Sequence, residues 1–228
     1  MMMSFAAKAD GYWLELSGTG RLNDTVMIRI RYGGVNDNKT RYINNGAALD
    51  KMKNFQLYVT TPLGKQKSIE IKQQNDCWVG YFVPSVKGVF QISAIDTALP
   101  IVERTDSLQN IKPIQYLYAV YNVGTSVETK IKPTMYLYLN ASVKNDTATI
   151  IPFVDGKRVA PGTTLRVFYP NNEDEKLIVT EQSIAKLSLT SKGTYIIRLD
   201  CVSKETGTIG NKKYFAKRHR CDYTLVMK

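Results

Sequence analysis

The chain has 228 residues, 43% of them hydrophobic and 22% charged, which excludes a disordered or fibrous protein and leaves room for one large domain or two of ordinary size. No stretch approaches the roughly 18 uninterrupted apolar residues of a membrane helix, so no transmembrane segment is expected. The net charge of +11 points to anionic partners.

Residues 1–9 and Asp10 precede the first strand signal. Ser4-Phe5-Ala6 has the small-x-small pattern of a signal-peptide cleavage site, without the basic and apolar regions that come before such a site. Two readings stand level: the remnant of an export signal, with the mature protein starting near Ala7, or an ordinary frayed end.

A strand is expected at Gly11–Ser17 and a second at Thr25–Gly33, where Ile28, Ile30 and Tyr32 share one face and Arg29 and Arg31 the other. From Gly33 to Lys53 the pattern stops, with four Asn and three Gly before a short Ala47–Met52 segment fit for one or two helical turns. Long irregular stretches are often functional, so this is the first place to look for a ligand. Strand signals resume at Phe55–Thr60, Ser68–Lys72, Cys77–Val83 and Val89–Ile95. An irregular stretch from Asp96 to Pro113 follows, and then the aromatic strand Gln115–Asn122. Gly124–Lys132 is polar and makes a candidate junction, and Thr134–Leu139 fits either side of it.

Residues 148–203 read as short alternating strands broken by Asp-Gly, Pro-Gly and Lys-Gly turns, the pattern of an antiparallel sandwich. Gly88-Val-Phe-Gln-Ile-Ser and Gly193-Thr-Tyr-Ile-Ile-Arg each follow a Lys-Gly turn, which favours two similar units.

Few residues suit catalysis. His219, the chain's one histidine, lies in Lys217-Arg-His-Arg, where positive neighbours lower its proton affinity and repel a cation; it reads as an exposed edge residue. Glu173-Asp174-Glu175 reads as solvated turn carboxylates. Gly18-Thr-Gly-Arg-Leu-Asn lacks the last glycine of a phosphate loop. An enzyme is not expected.

Cys77, Cys201 and Cys221 are too few for a disulfide framework. Folding the terminal hairpin about Ile209 or Gly210 brings Cys201 and Cys221 within two or three positions of facing each other, which permits a bond without requiring one. Buried free thiols are the simpler reading. A metal site could draw on Asp10, Met52 or Cys77, although none has ligand spacing. A core Cys77 and an exposed Asp10 are the plainer alternative.

The last 18 residues carry Lys212, Lys213, Lys217, Arg218, Arg220 and Lys228 against Asp222, a net +5. The first five are candidate ligands for an anionic glycan, lipid or protein. The plainer reading is an exposed terminal edge strand kept unpaired by its lysines. The 14 tyrosines recur at alternating strand positions and read as sheet packing; without a nucleic-acid motif, nucleic acid is not an expected partner.

Asp10-Gly-Tyr-Trp-Leu-Glu, then Val26-Met-Ile-Arg-Ile-Arg-Tyr-Gly-Gly, then Val154-Asp-Gly-Lys-Arg-Val-Ala-Pro-Gly-Thr-Thr-Leu-Arg-Val, in that order, resemble one family. It is the periplasmic family of unassigned biochemical function that accompanies the nickel and cobalt uptake component (NikM-like). The resemblance covers most of the chain. It implies an exported protein of two β-sandwich parts, the second immunoglobulin-like, assisting nickel or cobalt uptake. Members carry a histidine two residues before an aromatic pair; here Asp10 holds that position before Tyr12-Trp13. A lone carboxylate is a weak nickel ligand, so this departure weakens the metal role more than the fold.

The expectation is therefore an all-β, exported cell-envelope binding protein of two immunoglobulin-like antiparallel β-sandwich domains, residues 10–130 and 131–228, after a leading segment 1–9. Its first function is accessory to nickel or cobalt uptake, with Asp10 and Cys77 as metal candidates and an envelope transport or surface protein as partner. Its second is adhesion, with Lys212, Lys213, Lys217, Arg218 and Arg220 engaging an anionic polymer or other anionic partner.

Overall fold

Alternation in Val26–Val35 sends Ile28 and Ile30 fully out of water and leaves Arg29 and Arg31 half-buried on the other face. The same period organises the molecule. The computed structural model describes residues 11–36, 38–104, 109–124 and 133–227. The first half contains β1 (Gly11–Ser17), β2 (Val26–Val35), β3 (Arg41–Ile43), a 3-10 helix (Gly46–Met52), β4 (Gln56–Thr60), β5 (Gln66–Ile69), β6 (Lys72–Gln73), β7 (Trp78–Phe82), β8 (Gly88–Asp96) and β9 (Ile111–Val123). The second contains β10 (Leu137–Lys144), β11 (Thr147–Val154), β12 (Lys157–Arg158), β13 (Thr164–Phe168), β14 (Asp174–Ile178), β15 (Ala185–Ser188), β16 (Gly193–Ser203), β17 (Gly207–Ile209), β18 (Lys212–Tyr214) and β19 (Ala216–Met227). The fold is essentially all-β. Among the described residues no helix is long and apolar enough to cross a membrane.

One eight-stranded sheet runs through both halves in the order β14-β13-β16-β19-β9-β8-β4-β5. Its strands pair antiparallel except at the centre, where β19 and β9 lie parallel from Ala216 opposite Ile111 to Thr224 opposite Ala119. A first small sheet has the order β1-β2-β7-β6, with β3 also on β2. A second has the order β10-β11-β12, with β15 also on β11. β17 and β18 form a separate hairpin.

The central strand β9 is covered on both faces. Ile114, Tyr116 and Tyr118 enter a core shared with Leu137, Ile150 and Leu187 of the second small sheet. Leu117, Ala119 and Val123 enter the other core, with Leu14, Ile28 and Ile30 of the first. Successive strand residues point to opposite faces, so the two small sheets lie on opposite faces of the large one. The expected boundary at 130/131 falls outside the described residues.

The two halves repeat one pairing pattern. β2 takes β1, β3 and β7 as β11 takes β10, β12 and β15. β4, β5, β8 and β9 correspond to β13, β14, β16 and β19. The likeness extends to backbone detail: Gly88 has φ +127 and Gly193 has φ +125, and a Cβ on either would stand 2.8 Å from a proline ring, that of Pro62 or Pro170. Only glycine fits both the dihedral and the space.

Several local expectations are corrected. Residues 33–53 are not one loop: β2 runs on through Gly34 and Val35, and Arg41–Ile43 pairs with it as β3. Asp174 and Glu175 belong to strand β14, not to a turn. The C-terminal strand is not an edge; it lies between β16 and β9. His219 is accordingly 4% exposed, its Nδ1 3.0 Å from the Tyr116 hydroxyl and its ring against Tyr136.

Charge is buried at the join. Asp222 on β19 is 0% exposed and accepts from Arg198 Nε on β16 at 2.7 Å and from Gln115 Nε2 on β9 at 2.8 Å. Replacing Arg198 with Met would leave Asp222 without its cation. Loss of one partner of a buried pair costs about 3–5 kcal/mol, and denaturant unfolding should show a drop of that size.

Candidate functional site

A cleft of about 530 Å³ opens between the first small sheet and the uncovered face of β13 and β16. On those strands Leu165, Val167, Ile197 and Leu199 fill the second core, so alternation turns Arg166, Phe168, Ile196 and Arg198 the other way, into the cleft. Arg166 and Arg198 are register partners. Their guanidinium carbons lie 4.8 and 4.9 Å from the centroid of the Phe168 ring. At Gly11 an added Cβ would overlap Nη2 of Arg198, so this glycine makes the close approach of β1 to the arginine sterically feasible.

The opposite wall comes from the stretch 33–53. Arg41 Nη2 donates to the Tyr169 carbonyl at 3.2 Å, and its guanidinium lies 5.8 Å from the Trp13 ring centroid. Burial pushes this guanidinium below its ordinary value, with Glu15 partly offsetting. The other cations are paired: Lys39 with Glu173 at 3.6 Å, Arg166 with Asp174 at 2.7 Å and Arg198 with Asp222 at 2.7 Å. The walls thus offer cations, aromatic faces and glycine backbone, an arrangement suited to holding an anionic group.

The first half has a counterpart. Matching Pro62 to Pro170 and Gly88 to Gly193 sets the cross-strand row Tyr58, Ser93, Tyr118 against Arg166, Arg198, Asp222. The corresponding cavity is only about 60 Å³, and uncharged Thr60, Gln66, Gln91, Ser93 and Tyr118 line it. The same backbone pattern therefore carries charge in one half and none at the matching positions of the other.

No protein-family model matches the chain, and no curated protein does. Among solved structures it is similar to dimeric latent PorU from Porphyromonas gingivalis, at 13% identity and a TM-score of 0.21. That match covers 93% of this chain and 20% of the other; a likeness so loose assigns neither fold nor function.

The residues singled out from sequence are dispersed. Asp10 lies outside the described residues. Cys77 is buried, and burial pushes its thiol up; Asp76 beside it is ion-paired with Arg31 at 2.6 Å. Met52 is buried in the first core. Among the described residues no three or more His, Cys, Asp or Glu gather as a metal site would require. All three cysteines are free thiols, and Cys201 faces His219 while Cys221 faces Leu199.

The terminal basic set does not form one patch. Lys212 and Lys213 are exposed on the β17–β18 hairpin, Lys212 paired with Glu103. Lys217 pairs with Glu205 at 2.6 Å, and Arg220 with Asp200 at 2.8 Å. Arg218 is half-buried, and its Nε has no partner among the described residues. Strand alternation turns Lys217 to the face opposite Arg218 and Arg220.

Sequence reasoning passed over Arg41, Arg166 and Arg198. One signal was present: Arg198 interrupts the apolar run Tyr195-Ile-Ile-Arg-Leu, and pairing Gly88 with Gly193 would have set it against Ser93.

His219 supplies a pH prediction. Burial holds its folded-state pKa below the ordinary 6.5, Glu205 partly opposing and Lys217 assisting, so the fold favours the neutral ring. Its contribution is complete above about pH 6.5 and declines as pH falls from there toward the depressed folded value. Unfolding curves from pH 7.5 to 5 should show this loss, and His219→Asn should remove that part of the slope.

Proposed function

We propose that the protein is a binding protein of the cell envelope that recognises an anionic ligand in the cleft beside β13 and β16. The observation that carries this reading is the difference between the two halves. Tyr58 and Ser93 occupy the strand register of Arg166 and Arg198, so the strand pattern itself does not call for arginines there. Burying Arg198 carries a desolvation cost that Asp222 must offset, a demand the first half does not impose. Arg198 serves the buried Asp222, but Arg166 pairs only with the exposed Asp174, and ligand recognition gives that arginine a purpose.

Support for export comes from the Ser4-Phe5-Ala6 pattern and the family resemblance. We also propose that each half is an immunoglobulin-like unit. The support is strand order: β1-β2-β7 against β9-β8-β4-β5, and β10-β11-β15 against β19-β16-β13-β14. Adhesion through the terminal hairpin has weaker support, because the basic residues there do not share one face: Lys212 and Lys213 lie on the β17–β18 hairpin, and alternation along β19 turns Lys217 away from Arg218 and Arg220. Nickel or cobalt uptake is supported by the resemblance alone.

The test is a titration of the ¹⁵N-labelled full chain with sodium acetate and with inorganic phosphate, read by amide shifts. Saturating shifts should appear at Gly11, Gly33 and Gly34, weaken with added salt, and shrink in Arg166→Gln. The amides of Gly64, Gln91 and Ser93 should move far less. Shifts confined to the Lys212–Lys213 hairpin, or none in the cleft, would refute the reading.

A further inference from the structure

We propose a second anion site, outside the cleft, in which the guanidinium of Arg218, with Arg104 beside it, seats a dianionic oxyanion: a phosphate or sulfate group. Neither arginine lines the cleft, so the site stands or falls independently of the cleft's ligand.

A row of side chains on one face of β16 and β19 leads to it. Residues directly opposed on antiparallel strands share a face, and along this one Arg198 stands opposite Asp222, Asp200 opposite Arg220, and Val202 opposite Arg218. The first two pairs are matched in charge and bonded: Arg198 to Asp222 at 2.7 Å, and Arg220 to both oxygens of Asp200 at 2.8 and 3.3 Å. The next pair breaks the pattern. Arg218 has Val202 on one side and Pro113 of β9 on the other, and neither side chain carries an acceptor.

Arg218 is nevertheless half-buried, and its Nε is shielded from water without a hydrogen-bond partner among the described residues. The carboxylates around it are taken, Asp200 by Arg220 and Glu103 by Lys212. Among the described residues no ion pair reaches Arg218 or Arg104. Burial pushes the Arg218 guanidinium below its ordinary value; the charges of Arg220, Arg104 and Arg198 push the same way and Asp200 opposes them. A guanidinium keeps its proton in proteins, so only a counter-charge relieves this cost. Two unpaired cations call for two negative charges, and a monocarboxylate would leave one of them unmatched. The edge formed by Nε and an Nη of Arg218 meets two oxygens of a tetrahedral oxyanion side by side. Val202 is 59% exposed, which opens this end of the row to an anion arriving from solvent.

The same account makes a prediction about stability. An unpaired, half-buried cation destabilises the anion-free fold, so Arg218→Gln should unfold at higher urea than the wild type in chloride buffer. Adding sulfate should raise the wild-type midpoint more than that of the variant, because only the wild type binds it.

The binding experiment is titration of the ¹⁵N-labelled full chain with sodium sulfate, inorganic phosphate, methyl phosphate and sodium acetate at constant ionic strength, read at the arginine Nε–H and backbone amide resonances. Saturating shifts are expected at the Arg218 Nε–H and at the amides of Val202 and Ser203, with sulfate and phosphate about tenfold tighter than acetate or better. Methyl phosphate separates two sources that both support the seat: affinity equal to that of phosphate points to an ester group on a larger molecule, and failure to bind points to the free ion. Arg218→Gln should abolish these shifts while those at Gly33 and Gly34 persist, Arg218→Lys should fall between, and Arg104→Gln should weaken binding severalfold. Matching amide spectra away from β19 establish that each variant is folded. A silent Arg218 Nε–H with both dianions would overturn the site. Acetate binding as tightly as sulfate would overturn its dianionic character, and unchanged affinity in Arg104→Gln would overturn the second cation. A lower urea midpoint for Arg218→Gln would mean that Arg218 already has a partner within the fold, which would also overturn the site.

Discussion

Everything in this molecule depends on how β19 meets β9. The two strands run parallel, and Asp222, fully buried, ties them together by accepting from Arg198 on one side and Gln115 on the other. A buried ion pair is weak evidence of net stability, because desolvating both charges offsets most of the attraction. Its value here is register. A slip of one residue would turn Asp222 toward the core that Cys221 and Tyr223 fill, where no cation waits. The penalty for misalignment is therefore larger than the reward for alignment.

Parallel pairing at the centre also explains why the two small sheets occupy opposite faces. Two units of the same pattern, joined through equivalent last strands that run the same way, are related by rotation about the strand direction, and that rotation exchanges the faces. Each small sheet then ends beside an uncovered stretch of the other unit's strands. The cleft of the second half exists because of this overhang: β1 and β3 reach over β13 and β16, and Gly11 comes against Arg198. Chemistry is then written onto an inherited shape. Ser93 and Tyr118 line one site, small and neutral, whereas Arg166 and Arg198 line the other, large and charged.

Much of the fold was legible because it is local. Ile28 and Ile30 alternating with Arg29 and Arg31 declare a half-covered strand, and Gly88 and Gly193 after their lysines marked equivalent strand starts. The position of β19 was not legible. Gln115 and Asp222 meet across 107 positions, and nothing in the local pattern of a basic C-terminal strand tells a central place from an edge. That single ambiguity misplaced His219 on the surface and made Lys217, Arg218 and Arg220 look like one patch, although alternation divides them. The cleft was half visible. Residues 33–53 were marked for attention by irregularity, but Arg166 and Arg198 sit in regular strands, and their shared face follows only from pairing across the sheet.

The fusion of two units into one cooperative body is most directly tested by scanning calorimetry of the full chain under reversible conditions. One transition, with calorimetric and van't Hoff enthalpies equal, is the expected result, since neither half can expose its side of the β9–β19 seam without disturbing the other. Two separable transitions, or a calorimetric enthalpy about twice the van't Hoff value, would mean that the halves melt independently and that the central pairing does not hold the cleft together.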